Sequence, residues 1–214
     1  MTDTTNAYEL SRFTADPRRA AVWSQIARYL QRWIPAEATS LELAAGYCDL
    51  SNALTNKRRI ATDWSPTVSK FGAEGVETLV GDARNLPTIQ DAEIDVALAS
   101  NFVEHLAYDE LDPFFNECLR MLKPNGLLML IQPNFRLCSS TYFDDYTHRS
   151  IHSHVSLPDH LKSVGFAIER VEPRFLPFSM QSRLAFGYRL VTPYLRLPYR
   201  PHAGQMLVIA RKSD

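Results

Sequence analysis

The segment from Thr39 to Asp63 predicts a strand, a turn, a helix and a second strand, in that order. Its first apolar stretch contains Glu42 near its end and leads into a turn at Gly46. The second stretch ends at Asp63, where a carboxylate can accept hydrogen bonds from both hydroxyls of a ribose. This order of elements is typical of the first βαβ unit of a nucleotide-binding α/β domain, and it favours a largely parallel sheet for the rest of the chain.

The residues of the turn discriminate between nucleotide cofactors. A dinucleotide site uses the pattern G-x-G-x-x-G, so that a pyrophosphate lies against the N-terminus of a helix. Here the corresponding positions are Ala44, Gly46 and Cys48, and the next residue is the acid Asp49. An acid at this place repels a phosphate but tolerates an ammonium or sulfonium group. The turn therefore favours S-adenosylmethionine over a dinucleotide.

Apolar strand-like stretches alternate with helical ones along most of the chain. We therefore predict a Rossmann-like, doubly wound α/β sheet of seven mostly parallel strands, with the last strand antiparallel. The strands are predicted at residues 40–44, 59–62, 76–80, 94–100, 127–132, 166–171 and 206–210. Helices are predicted between Asp16 and Pro35, from Ser65-Pro66 onward, and at residues 50–56, 108–122 and 156–164, with a turn at 123–126.

The length and composition predict one domain over residues 1–214, because 214 residues with 45% hydrophobic content can bury a full core. Two long stretches fall outside the alternation, and such segments usually determine specificity. One is crowded with tyrosine, aspartate and histidine, and the other (173–212) contains seven basic residues and no acid. The predicted parts are an N-terminal helical lead-in (1–38), a cofactor-binding core (39–132), an insertion (133–155) and a substrate-side segment (173–205).

The charge and the cysteine content argue against several classes of protein. A net charge of -1 does not suit a nucleic-acid-binding protein. Cys48, Cys118 and Cys138 are far apart and form no C-x-x-C pair, which favours a reducing compartment without structural zinc. The chain begins without a signal-peptide pattern, and no apolar run approaches the ~20 residues that span a bilayer. We therefore predict a cytoplasmic protein.

The basic, aromatic segment near the C-terminus has two interpretations that the sequence leaves open. One is a site for an anionic acceptor, such as a nucleotide sugar or a lipid-linked phosphate, or a contact with a membrane surface. The other is a solvated subdomain or a dimer contact. The sequence predicts no particular oligomeric state.

Several segments between Leu41 and Gly165 resemble the class I S-adenosylmethionine-dependent methyltransferases. They are residues 42–48, Asp63, 81–83, 100–106 and 122–127, and Ala44 and Cys48 stand where the family's first motif has glycine. The resemblance implies methyl transfer, with S-adenosylmethionine bound at the strand tips. The residues that we assign to the cofactor are Glu42, Ala44, Gly46, Asp63, Trp64, Asp82, Ala83 and Asn101. A weaker likeness, at residues 142–148 and 174–178, is to bacterial members associated with envelope-sugar biosynthesis.

The candidate catalytic residues are His105, His148 and Asp145. His105 follows predicted strand four, which in the resembling family lies beside the transferable methyl group. An alcohol acceptor loses a proton during transfer, and a histidine suits this role, although a packed structural histidine is the alternative. His148 lies in the insertion, where Asp145 can orient it. We therefore predict O-methylation of a small or sugar-containing acceptor, which the basic segment suggests is anionic.

The insertion also has residue types that bind metals. His148, His152 and His154 lie near Asp144 and Asp145, but the spacing H-x-x-x-H-x-H matches no known closed metal site, so we predict no metal. Two alternative functions stay open. One is a catalytically silent module that binds S-adenosylmethionine, and the other is a nicotinamide-dependent oxidoreductase, which the missing phosphate turn disfavours.

Overall fold

The computed structural model describes residues 17–177 and 187–213, and within them seven strands form one sheet. The strand order is β3-β2-β1-β4-β5-β7-β6, with β7 antiparallel to both of its neighbours and the other pairs parallel. The strands are β1 (Thr39–Leu43), β2 (Arg58–Asp63), β3 (Val76–Val80), β4 (Ile94–Ser100), β5 (Leu122–Pro133), β6 (Phe166–Glu172) and β7 (Gln205–Lys212). The predicted fold class is therefore confirmed.

Helices cover both faces of the sheet. They are α1 (Pro17–Leu30), α2 (Asp49–Ala53), α3 (Tyr108–Met121), α4 (Phe135–Cys138), α5 (Ser156–Val164) and α6 (Val191–Leu195). Shorter 3₁₀ helices lie at Gln31–Trp33, Pro66–Lys70, Val103–His105, Tyr142–Asp144 and Gly187–Leu190. Among these residues, no helix has both the length and the apolar character of a membrane span.

The core is divided by the sheet because successive side chains of a strand point to opposite faces. In β4, Ala97 and Ala99 pack in the cluster that contains the apolar residues of α3 and α5. Val96 and Leu98 pack instead with those of α1, α2 and α6. Trp23 of α1 is buried in this second cluster. Within the described residues, helices and their apolar side chains thus cover both faces of the sheet.

Two predicted elements differ from the structure. The segment after Ser65 forms only the short 3₁₀ helix at Pro66–Lys70. The predicted turn at 123–126 lies inside β5, because Leu122 already pairs with Ile94 and the register then jumps to Leu127 opposite Val96. The residues between these two pairs include Pro124, which has no N–H group to donate a hydrogen bond to the neighbouring strand. They form a bulge inside β5, and the strand begins before them.

The predicted division into four parts stays a prediction. Asp16, the predicted helix cap, lies outside the described residues, as do residues 178–186 of the substrate-side segment. The predicted insertion contains α4 and the 3₁₀ helix Tyr142–Asp144. It follows β5 directly and therefore begins at the edge of the sheet where the parallel strands end.

Candidate active site

The turn after β1 has left-handed backbone at alternate positions. Ala44, Gly46 and Cys48 have φ angles of 53°, 53° and 55°. Only glycine adopts this conformation without strain, and each other residue costs roughly 1–2 kcal/mol. The structure thus gives a physical reason for glycines in the motif that this segment resembles. The departures at Ala44 and Cys48 are accommodated with strain and without a change of backbone region.

Cys48 is buried at this turn. Burial, together with the nearby carboxylates of Glu42, Asp63 and Asp49, raises the pKa of the Cys48 thiol to about 12. The thiol is therefore protonated at neutral pH and acts as a small packing group.

Glu42 connects the end of β1 to the start of α2. One of its carboxylate oxygens accepts from the backbone N–H of Ser51 at 2.8 Å and from the Ser51 hydroxyl at 2.5 Å. Burial raises the pKa of Glu42 from 4.5 to about 7, and the hydrogen bonds from Ser51 only partly offset this rise. Glu42 therefore shapes the turn from within the protein.

Asp63, the last residue of β2, connects the turn to the next strand tip. One of its oxygens accepts from the Gly46 N–H and the other from the Ser65 N–H, both at 2.9 Å. These two bonds hold the Asp63 carboxylate between the turn after β1 and the segment after β2. The neighbouring side chain of Trp64 is 68% exposed, which gives the same edge an accessible aromatic face.

Asp82 follows β3 and lies in a network of charges. The guanidinium of Arg84 donates to both carboxylate oxygens of Asp82, with distances from 2.5 to 3.1 Å, and lowers the pKa of Asp82. Arg84 also pairs with Glu110 at the start of α3. Ala83, the residue after Asp82, is almost fully buried. Asp82 is therefore ionised and held in place at the third strand tip.

The tip of β4 carries Asn101, whose φ of 49° is also left-handed. Its side-chain oxygen accepts from Gln205 at 2.7 Å, which links the tips of β4 and β7. Gln132, near the end of β5, is fully buried, and neither polar atom of its side chain has a hydrogen-bond partner within the described part of the chain. The sequence analysis did not select Gln132, because its pattern predicts only a buried strand.

The insertion folds back onto the segment after β4. The carbonyl oxygen of Glu104 accepts from the N–H groups of Arg149 and Ser150 at 2.8 and 3.2 Å. These bonds bring His148 beside His105, with ring centroids 5.0 Å apart. Ligand-type atoms of Glu104, His105 and His148 all lie within 4.8 Å of one another. We refer to these three residues as the Glu-His-His cluster.

Hydrogen bonds define the tautomer of His105. The Thr147 hydroxyl donates to Asp145 at 2.6 Å, so its oxygen can only accept from the imidazole. Nδ1 of His105 lies 3.0 Å from that oxygen and 3.3 Å from the Thr147 carbonyl oxygen. In the neutral imidazole, Nδ1 therefore carries the proton and Nε2 the lone pair. These bonds connect the Asp145 carboxylate through Thr147 to His105. The Asp145 carbonyl oxygen also accepts from the His148 N–H at 3.2 Å, and the orientation of the His148 ring by Asp145 stays a prediction.

Glu104 is the most buried member of the cluster. Only 1% of it is exposed, and its Oε2 has no hydrogen-bond partner among the described residues. Burial, with a smaller contribution from the charge of Asp145, raises the pKa of Glu104 to about 8. The sequence analysis did not select Glu104 as a candidate site residue, because the depth of its burial could not be read from the sequence.

The other two histidines of the insertion have separate hydrogen-bond partners. His152 lies 2.8 Å from the hydroxyl of Ser150, and burial lowers its pKa to about 4. His154 lies 3.0 Å from the side-chain amide of Asn134. Both serve the packing of the insertion.

A basic cavity of about 550 Å³ lies between α1 and the segment around α6. Arg170 and Arg200 in its lining both pair with Glu172. Three further arginines line the cavity, and none of them forms a salt bridge within residues 17–177 and 187–213. They are Arg28, Arg32 and Arg196. The cavity therefore offers positive charge to an anion.

The sheet order defines a Rossmann-like α/β protein, a class in which ligands bind at the carboxyl edge of the sheet, and here acids lie at successive strand tips along that edge. Residues 22–130, half of the chain, match the family model described as "Methyltransferase domain". The chain belongs to this methyltransferase family, and it is an S-adenosylmethionine-dependent methyltransferase. The predicted enzyme class is therefore confirmed. No curated protein is similar enough to match the chain.

Solved structures share the fold at low sequence identity. A SAM-dependent methyltransferase from Thermotoga maritima has a TM-score of 0.67 and 19% identity, with 100% of this chain and 96% of that chain covered. The 1,6-didemethyltoxoflavin-N1-methyltransferase of Burkholderia thailandensis, solved with S-adenosylhomocysteine, has a TM-score of 0.66 and 18% identity over 100% and 87%. The [4+2]-cyclase SpnF has a TM-score of 0.63 and 18% identity over 89% and 80%. The fold alone therefore does not define the acceptor.

Proposed function

We propose that the protein transfers the methyl group of S-adenosylmethionine to a hydroxyl oxygen of a small or sugar-containing, anionic acceptor. The observation that carries this proposal is the Glu-His-His cluster, which lies directly beyond the tip of β4. A hydroxyl group must lose its proton when it is methylated, and this cluster supplies proton-accepting side chains. The N1-methyltransferase among the structural neighbours makes nitrogen the principal alternative acceptor atom.

The residues at the strand tips fit S-adenosylmethionine. No residue of the turn is cationic, and the nearby Arg19 is already paired with Asp49 at 2.5 Å. The acids around the turn suit the ammonium and sulfonium charges of the cofactor. We propose that Asp63 accepts from the ribose and that Trp64 covers the adenine. Asp82 and Ala83 bind the amino edge of the adenine. The site is completed by Asn101 and by the turn at Ala44 and Gly46, whose shape depends on Glu42. When bound, the cofactor supplies a methyl group activated by a sulfonium.

His105 and His148 assist loss of the acceptor proton. The bonds from Asp145 through Thr147 hold the His105 ring through Nδ1, and we assign the contact with the acceptor hydroxyl to Nε2. Alignment of the acceptor with the methyl group also contributes to the rate. In well-oriented reactions, such positioning lowers the activation barrier by roughly 7–11 kcal/mol.

The basic cavity supports an anionic acceptor. Arg19 near the start of α1 pairs with Asp49 at 2.5 Å, beside the cofactor turn. Arg28 lies nine residues further along the same helix and lines the cavity. At 1.5 Å per residue this separation is about 13 Å, which suits a charged group remote from the methylated atom. A phosphate-bearing sugar has a charged group that is separate from its hydroxyl groups. The weaker likeness to proteins of envelope-sugar biosynthesis favours the same class of acceptor.

Two rival functions make different predictions for cofactor binding. A nicotinamide-dependent oxidoreductase would gain thermal stability from NAD and not from S-adenosylhomocysteine. A catalytically silent module would bind S-adenosylhomocysteine but release no methylated product. We expect S-adenosylhomocysteine, and not NAD, to raise the melting temperature.

Labelled methyl donor and extracts of envelope sugars test the proposed reaction. We expect a labelled methyl ether, identified by mass spectrometry and NMR, and no methylated amine. The double variant His105→Gln/His148→Gln should lose at least about tenfold of the rate at neutral pH while it still binds S-adenosylhomocysteine. A methylated nitrogen, or an undiminished rate in the double variant, contradicts the proposal.

A further inference from the structure

We propose that Glu104, His105 and His148 form a binding site for a divalent transition-metal ion. Two histidines and one carboxylate are a ligand set that proteins use for such ions. The ligand-type atoms lie within 4.8 Å of one another. Ligands bonded to one ion at about 2.1 Å are roughly 3–4 Å apart, so small side-chain rotations suffice to close the site.

The buried carboxylate of Glu104 independently indicates a missing partner. Its Oε2 is shielded from solvent and has no hydrogen-bond partner in the part of the chain that the structure describes. Burial of a polar atom in this state is unfavourable, and such exceptions in folded proteins usually have a functional explanation. A cation between Glu104 and the two imidazoles would satisfy this oxygen.

The surroundings of the cluster resemble the supporting shell of a metal site. Metal-bound histidines usually donate their second N–H to a carboxylate, a carbonyl or another acceptor, which fixes the ring. Nδ1 of His105 makes this type of contact with Thr147, which in turn donates to Asp145. The backbone bonds from Arg149 and Ser150 to Glu104 fix the distance between the two halves of the cluster.

In the proposed function, the metal ion would activate the acceptor hydroxyl. This catalytic role rests on the proposed O-methylation, whereas metal binding does not depend on that reaction. Three protein ligands leave a coordination position for the acceptor hydroxyl, and a divalent cation lowers the pKa of an oxygen next to it. The acceptor oxygen forms the O–CH₃ bond with a lone pair, the S–CH₃ bond breaks with its electrons left on sulfur, and the hydroxyl proton passes to water. The histidines then assist proton loss as ligands.

This proposal departs from the prediction of no metal. That prediction considered the histidines of the insertion together, whereas the cluster combines only His148 with the distant pair Glu104 and His105.

Titration of the full chain with Co²⁺, after removal of metals with a chelator and without methyl donor or acceptor, tests the site. We expect a saturable d–d absorption band. Glu104→Gln, His105→Gln and His148→Gln should each weaken Co²⁺ binding at least about tenfold. The matched control is His160→Gln, because His160 also lies beside an acid, Asp112 at 2.6 Å, but outside the cluster. Binding of S-adenosylhomocysteine shows that each variant is folded.

The outcomes separate this inference from the proposed function. Absence of the band in the full chain, or an equal loss of affinity in His160→Gln, overturns the metal site. Co²⁺ binding that depends on the cluster supports the site even where the methylated atom proves to be nitrogen, which contradicts only the proposed function. O-methylation at an undiminished rate in the presence of chelator overturns the catalytic role of the metal.

Discussion

Glu42 is a buried carboxyl group whose pKa lies near 7 in the folded protein, against an ordinary value of 4.5. The folded state therefore binds this proton more tightly than the unfolded state does. Between pH 4.5 and 7, a rise in pH favours the unfolded state, and above pH 7 the loss of stability from this group is complete. Glu42 thus lowers the free energy of unfolding at neutral pH.

We predict that Glu42→Gln makes stability less dependent on pH. Between pH 5 and 7 the variant should lose on the order of 2 kcal/mol less free energy of unfolding than the wild type. Denaturant unfolding at both pH values measures the difference. Glu104, whose pKa is also raised, is present in both proteins and cancels in the comparison. Parallel pH profiles for the two proteins contradict the prediction.

Residue-level chemistry was predictable where it depends on short sequence spacing. The sequence placed Gly46 and Asp63 at adjacent strand tips, and the structure joins them by a hydrogen bond of 2.9 Å. It did not predict that Asp145 contacts Thr147, because a side chain in an irregular segment has no periodicity that indicates its direction. Burial of single polar groups, such as Gln132, likewise depends on packing between distant elements.

A buried charge network joins three elements at the edge of the sheet. Glu172, the last residue of β6, accepts from Tyr29 of α1 at 2.6 Å and from Arg200 at 2.5 Å. Arg200 also donates to the backbone carbonyl oxygens of Arg174 and Leu195. Burial would raise the pKa of Glu172, but the hydrogen bonds from Tyr29, Arg200 and Arg170 hold it below its ordinary value. The network connects α1, β6 and the end of α6.

We predict that Glu172→Gln destabilises the protein by about 3 kcal/mol, because it leaves the charge of Arg200 buried without a counter-ion. Denaturant unfolding at pH 7 measures this loss. Glu169→Gln on the same strand is the matched control, since Glu169 pairs with Arg211 at the surface. The control should change stability by less than about 1 kcal/mol. Equal effects of the two substitutions refute this role of the network.

The elements themselves were largely predictable. Predicted strands at 76–80 and 94–100 coincide with β3 and β4. The central strand β4 was predictable because a buried parallel strand is a short apolar run with clear limits. The edge strand β3 has no buried residue, and its β-branched residues indicate the strand instead. The bulge in β5 was not predicted. Its Pro-Asn-Gly sequence is typical of a turn, and only the pairing of Leu122 with Ile94 shows that the strand has already begun.

At the scale of the whole molecule, the basic cavity reaches Arg28, about 13 Å along α1 from Arg19, which pairs with Asp49 at the turn after β1. We predict that inorganic pyrophosphate binds in the basic cavity and that Arg28→Gln and Arg196→Gln each weaken its binding about tenfold. Calorimetric titration at low salt measures the affinity, which should fall as salt is added. S-adenosylhomocysteine binding should not change.

Lys70→Gln is the control for this prediction, because it removes an exposed positive charge from the other end of the sheet, in the 3₁₀ helix after β2. It should leave pyrophosphate binding as in the wild type. Equal affinities in all these variants show that pyrophosphate does not use the cavity.

At the scale of the molecule, the sequence predicted the seven-stranded, mostly parallel sheet, because strands that alternate with helices form βαβ connections. It also predicted a site at the carboxyl edge of this sheet, and that location stays a prediction. It did not predict the Glu-His-His cluster or the lining of the cavity. Both combine residues far apart in the chain, and their contacts depend on how irregular segments return to the sheet.

The insertion is attached to Glu104 through main-chain atoms of Arg149 and Ser150. Such a main-chain attachment does not depend on side-chain identity, so an exposed neighbour such as Tyr146 can vary while the histidines stay in place. Directed evolution toward new acceptors can therefore diversify such exposed positions while the Glu-His-His cluster keeps its arrangement.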